Sequence, residues 1–241
     1  MSSQFSLVAK LRTPGEYSFP DDATKLLEFY RALYDATDGA VTPLVGEVLE
    51  QAGYDATYSL KPQDNIGEVD EWDNAMKWTG SDVTIKSPVV LDVGAAGKGY
   101  LVDMVGEILG SHNIDTYVID ASGDIKSKGD QVERIGLENP NDPTRVLGVA
   151  ELHDAALCAS ASNRRSWGKW HHIINPKTGE PARDIVATWV VADSTMLADG
   201  LATALFFVPF DRVSKWDFQA IRLFADGHIE QTDNFVGELY I

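Results

Sequence analysis

A chain of 241 residues is long enough for one large domain or two small ones, and 44% hydrophobic content is that of a globular protein. Acidic residues number 37 against 20 basic ones; the resulting charge of −17 argues against a general nucleic-acid binder, because phosphate contacts need a basic surface. No apolar run reaches the length of a membrane span, and Met1–Lys10 lack the basic start and apolar core of a secretory signal. As the sequence stands, a cytoplasmic protein is expected. Cys158 is the only cysteine, which rules out an intramolecular disulfide and suits a reducing compartment. The acidity still leaves room for a small phosphorylated ligand, since a metal ion and a few basic side chains reverse the potential locally.

In chain order, residues 22 to 36 read as an amphipathic helix with a buried stripe of Ala23, Leu26, Leu27, Tyr30, Leu33 and Tyr34. Asp21 or Asp22 is the expected cap, and Thr37-Asp38-Gly39 ends the helix on a glycine suited to positive φ. Thr42-Pro43 opens a second helix, over about 43 to 53, with proline in the first turn. Residues 58 to 72 read as a polar, acidic loop. β-rich runs follow around Lys77-Trp78, Val83–Ile85 and Val89–Leu91, then a helix over about 98 to 110. Further strands are expected around Thr116–Ile119, Asp124–Ser127, Arg134–Leu137 and Val146–Leu152, with the Asn139–Pro143 segment as a loop. More β-rich pieces flank Asp184 to Asp193. A helix over 195–207 follows, with Ser194 or Thr195 as N-cap, then a short helix near 210–215. A closing strand pair, Ile221–Phe224 and His228–Glu230, turns at Asp226-Gly227. Runs of strands with few helices between them predict an α+β class over a doubly wound parallel sheet.

Three constellations carry chemistry. In the helix over 195–207, Asp199 and Thr203 stand four residues apart, so a carboxylate and a hydroxyl share one face. Such a pair suits Mg²⁺, which takes one or two carboxylates and fills its shell with phosphate or water oxygens; alternatively Asp199 is merely solvated and Thr203 bonds back to its own helix. Leu91–Asp103 joins a strand to a helix through three glycines and two alanines, a backbone bare enough to approach a pyrophosphate, with Lys98 as a cation and Asp92 at the strand end. It is neither a Walker motif nor a Rossmann fingerprint, and a tight turn without ligand is the plainer reading. The third is Ser160–Trp167 followed by His171–Pro181. Arg164-Arg165 suit phosphate or carboxylate, and one of His171 and His172 suits a general base. The competing reading is a surface hairpin with one buried histidine.

Together, Asp92–Tyr100, Ala121–Ile125, His172–Gly179 and Met196–Ala204, with Thr37–Val45 before them, resemble the ordered motifs of the ApbE-type FAD:protein FMN transferases from about residue 22 to the C-terminus. The resemblance implies an α+β, T-fold-like flavin transferase fold of mixed sheets with a few helices, as a single domain over residues 1–241. It implies FAD as substrate and Mg²⁺ at the pyrophosphate. The metal ligands would be Asp199, Thr203 and the backbone carbonyl of Ala95, and the FAD contacts would include Asp92, Ala95, Lys98 and Ile173. His172 would be the base for the incoming hydroxyl, and Asp199, as metal ligand, would be the other catalytic residue. The partners it implies are FAD and an acceptor protein flavinylated on threonine or serine; no nucleic acid and no membrane span are expected. Two other activities fit the same motifs: a Mg²⁺-dependent FAD pyrophosphatase, and a non-catalytic flavin- or nucleotide-binding module.

The chain departs from the family pattern in several places. Gly46-Glu47-Val48 stand where the family carries Asn-Leu-Trp, Ser162-Asn163 replace the usual Gly-Asp or Gly-Asn, Arg164-Arg165 lack the tyrosine that usually precedes them, and Asn175 replaces an aspartate. The motifs also begin after the β-rich segment with which the family opens. The expectation is therefore a flavin pocket lacking one wall or closed by a second subunit in a homodimer.

Overall fold

The computed structural model describes residues 7–240. The first six residues of the opening segment, read above for the absence of a signal, lie outside the described residues. The chain forms two compact units: residues 1–93 with 166–181, and residues 94–165 with 182–241. Among the described residues no helix is long and apolar enough to cross a membrane.

The first stretch carries α1 (Leu7–Lys10), β1 (Gly15–Ser18), α2 (Ala23–Ala36), a 3₁₀ turn at Pro43–Val45, α3 (Gly46–Gln51), α4 (Trp72–Ala75), β2 (Met76–Thr79) and β3 (Asp82–Ile85). The stripe expected on α2 is partly right: Leu27, Phe29, Tyr30 and Leu33 are its buried residues. The expected aspartate cap is not. Asp22 is already helical and its side chain makes no capping bond; the start is closed by backbone turns from Ala23 N to Pro20 O and Thr24 N to Asp21 O. Thr42 does cap the next element, its hydroxyl accepting from Leu44 N, but the segment begins as 3₁₀ before turning α-helical. Val89–Leu91 is apolar yet not a strand, and β1, hidden in a polar stretch, completes the antiparallel sheet β1-β3-β2 instead.

From residue 94 the second unit takes α5 (Gly97–Ser111), β4 (Tyr117–Asp120), β5 (Asp124–Lys128), β6 (Val132–Asn139), β7 (Asp142–His153) and β8 (Ala156–Ala161). The chain then returns to the first unit for four two-residue strands, β9 (Ser166–Trp167), β10 (Trp170–His171), β11 (Ile174–Asn175) and β12 (Glu180–Pro181), which pair as two ribbons. It closes in the second unit with β13 (Ile185–Ala192), α6 (Thr195–Ala204), a 3₁₀ turn at Phe210–Val213, β14 (Gln219–Phe224), β15 (Ile229–Gln231) and β16 (Gly237–Leu239). The hairpin expected around Asn139–Pro143 is present but tighter than a five-residue loop: β6 and β7 run into it from both sides, and Asn139 faces Asp142 across Pro140-Asn141.

The second unit is built on an antiparallel sheet in the order β15-β14-β13-β8-β5-β4, with a three-stranded sheet β16-β7-β6. Ala187, Trp189 and Val191 of β13, with Leu157, Ile221 and Leu223, bury one face of the large sheet against Leu137, Ala150 and Leu152 of the smaller one. Successive strand residues alternate faces, so Thr188 and Val190 point the other way, where the Thr188 hydroxyl donates to Ala202 O of α6 at 2.6 Å. A strand buried on both faces loses its alternation, which is why β13 reads as one continuous apolar run. In the first unit, Val48, Leu49 and Ala52 of α3 and its C-cap pack with Trp167, Trp170 and Ile174 of the ribbons. Trp167 Nε1 donates to Ala52 O at 2.8 Å, and its ring stacks on Tyr54.

Candidate functional site

In the second unit the site grows from the packing of α5 on α6. A Cβ at Gly99 would run into the Thr195 carbonyl and lie 2.8 Å from Asp199 Cβ, so only glycine lets the helices approach this closely. At that contact Gly99 N donates to Asp199 Oδ2 at 2.9 Å. The start of α6 is fastened twice. Ser194 Oγ accepts from Leu197 N at 3.1 Å, and the Asp103 carboxylate accepts from Thr195 N and Met196 N at 2.8 and 2.9 Å. Ser194 is thus the cap, and Thr195 is not. Asp103 was invisible as a site residue in the sequence, because its partners lie 92 and 93 positions away.

Asp199 is 5% exposed, and beside it Asp124, the first residue of β5, is wholly buried. Burial pushes the Asp199 carboxyl up from 3.8 to about 8, and the neighbouring Asp124 pushes further; the Gly99 N–H, Lys98 and Arg165 pull the other way. Asp124 is itself raised by burial, against the pull of Lys98. Lys98 Nζ lies 2.8 Å from Asp124 Oδ2 as an ion pair, although neither Asp124 oxygen receives a well-directed hydrogen bond, and it donates to Ala121 O at 3.3 Å. The buried Cys158 thiol, pushed well up by burial, donates to Thr195 O at 3.5 Å, so it belongs to the packing. Thr203 follows one turn after Asp199 on α6, half-buried, and Ala95 sits in the turn that leads into α5. Of the arginine pair, Arg164 is engaged on the surface with Glu138 at 2.8 Å, while Arg165 contributes to the field at Asp199.

The remaining candidates belong to the first unit. Asp92 is half-buried and its backbone N–H donates to Pro43 O at 2.8 Å. The structure separates the two histidines. His171, in β10, is buried with Nδ1 accepting from Ile173 N at 3.2 Å, whereas His172 is the more open of the two. The Ile173 side chain is buried, so any ligand contact there falls to its backbone. Asn175 organises the following turn: its side chain accepts from Lys177 N and its carbonyl from Thr178 N and Gly179 N. Gly46, one of the departures from the family pattern, has a local cause. A Cβ there would collide with the Val90 carbonyl and lie 2.9 Å from Val90 Cγ1.

Among the described residues no group of three or more His, Cys, Asp or Glu could hold a metal ion. On α6 one carboxylate, Asp199, and one hydroxyl, Thr203, stand a turn apart.

Comparison with known proteins identifies the family. The sequence pattern of the ApbE family matches residues 2–220, so it starts before residue 22, where the resemblance read from the motifs begins. The chain is 29% identical over 234 residues to the FAD:protein FMN transferase of Haemophilus influenzae, covering 87% of this chain and 66% of that protein. It is 36% identical over 132 residues to that of Vibrio cholerae, covering 51% of this chain and 40% of that one. It thus spans less than two thirds of the length of these relatives. In structure it is similar to the crystallised ApbE protein of Thermotoga maritima, with a TM-score of 0.85 at 24% identity over 96% of this chain and 83% of that one. The flavin transferase ApbE of Vibrio cholerae follows at 0.76 and 19%, over 97% and 82%. These likenesses establish the mixed α+β fold expected from the sequence.

Proposed function

The chain belongs to the ApbE family, and we propose that it is a Mg²⁺-dependent FAD:protein FMN transferase, moving FMN from FAD to a threonine or serine hydroxyl of an acceptor protein and releasing AMP. The observation that carries this reading is the buried Asp199 carboxylate where α6 packs on α5. Burial raises its carboxyl, so a charged Asp199 there is short of stabilising positive charge. A divalent cation fits that deficit, and Thr203 on the same face of α6 and the Ala95 carbonyl are the further oxygens that would hold it. When bound, the ion supplies charge neutralisation at the pyrophosphate and an electrophilic pull on its oxygens.

The chain's own residues supply the rest. The glycine- and alanine-rich turn before α5 brings backbone N–H groups and the positive end of a 15-residue helix to an anionic ligand. Lys98 adds a half-exposed cation in the first turn. Asp92 is the candidate contact for the nucleoside part of FAD. His172 is the candidate base: it takes the proton of the acceptor hydroxyl, whose oxygen bonds to the FMN phosphorus as the P–O bond to AMP breaks. A hydroxyl is a poor nucleophile at its free pKa, so a positioned base has a large effect.

Incubation with FAD and Mg²⁺, with and without an acceptor domain, tests this. AMP and protein-bound flavin should appear together, and only when both Mg²⁺ and acceptor are present. Free FMN without any acceptor would make the chain a pyrophosphatase; binding without AMP release would make it a non-catalytic module.

A further inference from the structure

Asp124 is the least accessible charged residue of the site, and the transferase reading gives it no role. It sits where the Ala121-Ser122-Gly123 turn enters β5, a turn held in the left-handed region at Ser122 (φ 59°) and Gly123 (φ 100°) and tied by Gly123 N donating to Asp120 Oδ1. A non-glycine residue is held in that region only when its surroundings insist on it. The outcome is a carboxylate with 0% exposure whose two oxygens lack a directed hydrogen bond and whose one cationic neighbour is Lys98 Nζ at 2.8 Å. The oxygens are sealed from solvent, and the cation they face is Lys98.

Lys98 is different. Its side chain remains 38% exposed although its ammonium leans on Asp124 and donates to Ala121 O. A lysine ammonium carries three donors on a flexible stem and loses much rotamer freedom when it is fixed. With one side of the group committed to the protein, the exposed remainder points in a limited set of directions from the first turn of α5. Gly99, the next residue, simultaneously donates to Asp199. The two buried carboxylates therefore hold consecutive residues at the start of one helix.

We propose that Asp124 is a positioning residue for Lys98: it fixes the ammonium so that its exposed donors meet the pyrophosphate of a nucleotide at the start of α5. Asp124 itself touches neither ligand nor metal. This deepens the transferase reading and rests on it for the identity of the ligand.

Four proteins test the proposal: the wild type, Lys98→Met, Asp124→Asn and the double variant. Each is measured for binding of inorganic pyrophosphate with Mg²⁺ by calorimetry and for its urea unfolding midpoint. Lys98→Met should weaken pyrophosphate binding about tenfold and lower the midpoint, since it strands a buried carboxylate. Asp124→Asn alone should weaken binding several-fold, although Lys98 is still present. The double variant should bind no more weakly than Lys98→Met and should recover part of the lost midpoint. Losses that multiply in the double variant, or Asp124→Asn binding pyrophosphate like the wild type, would overturn the proposal. Should Asp124→Asn fail to fold, the double variant still decides, because recovery of the midpoint over Lys98→Met is expected only if the two residues act as a pair. A wild type that binds pyrophosphate but moves no flavin leaves the proposal standing and removes the transferase reading. A wild type that binds none overturns both.

Discussion

The two units hold their candidate residues by opposite means. In the second, Asp199 and Asp124 are buried, and each charged group is fixed by contacts distant in sequence: Gly99 to Asp199, Asp103 to the start of α6, Lys98 to Asp124. In the first, Asp92 lies in extended chain and His172 beside two-residue strands, steadied by local turns and by the tryptophans beneath them. Buried charge gives strong, preorganised fields at the cost of stability; a ribbon carries a side chain whose loss the fold tolerates. Substitutions should therefore couple chemistry to stability in the second unit and separate them in the first.

The largest expected effect is at Asp199. Asp199→Asn should reduce Mg²⁺-dependent AMP release to background, since a neutral amide is a poor substitute for a carboxylate ligand. The same variant should change stability with a definite sign. The folded-state value of Asp199, about 8, lies above the ordinary 3.8, so folded chains hold the proton that unfolded ones release. Its stabilising contribution is complete below about pH 4 and is lost as pH rises through about 8. In metal-free buffer the urea midpoint of Asp199→Asn should thus gain on the wild type from pH 4 to 8, and added Mg²⁺ should restore only the wild type. Equal midpoints throughout would deny the burial of that charge.

Next comes the first unit. His172→Ala should slow transfer by about 10² to 10⁴, with FAD affinity and unfolding midpoint little changed; an equal fall in FAD affinity would make His172 a binding residue. His171→Ala, by contrast, should cost stability, since it empties a buried position and strands the Ile173 N–H.

Gly99→Ala should destabilise by about 1–3 kcal/mol through overpacking of α5 on α6, and it should weaken Mg²⁺ binding too because Asp199 must shift. Unchanged metal affinity at reduced stability would separate the helix contact from the site. The smallest effect is Trp167→Phe, which leaves the Ala52 carbonyl without its indole donor. It should cost about 1 kcal/mol by thermal or urea unfolding and leave AMP release intact, as expected if the first unit's scaffold and chemistry are separable.

Local chemistry alone made much of this legible. The helices at 23–36, 97–111 and 195–204, the Ser194 cap, the Asp226-Gly227 hairpin and the ordered family motifs all depend on residues within a few positions of one another. The errors lie where partners are remote. Nothing in Gly15–Ser18 announces a strand until β3 is beside it, and apolar Val89–Leu91 has no strand to pair with. Among small residues, Ala156–Ala161 carries little β signal, yet it sits at the middle of the large sheet because β5 and β13 supply hydrogen bonds on both sides.

The sequence by itself determined the class, the family and the placing of Asp199, Thr203 and Lys98 on their helices, because spacing along a helix is a local property. Tertiary structure alone decided which histidine is buried, that Asp103 fastens α6, and that Asp124 faces Lys98. Those facts depend on burial and on pairings up to about a hundred residues apart, where desolvation and the identity of the neighbour set the state of each charge.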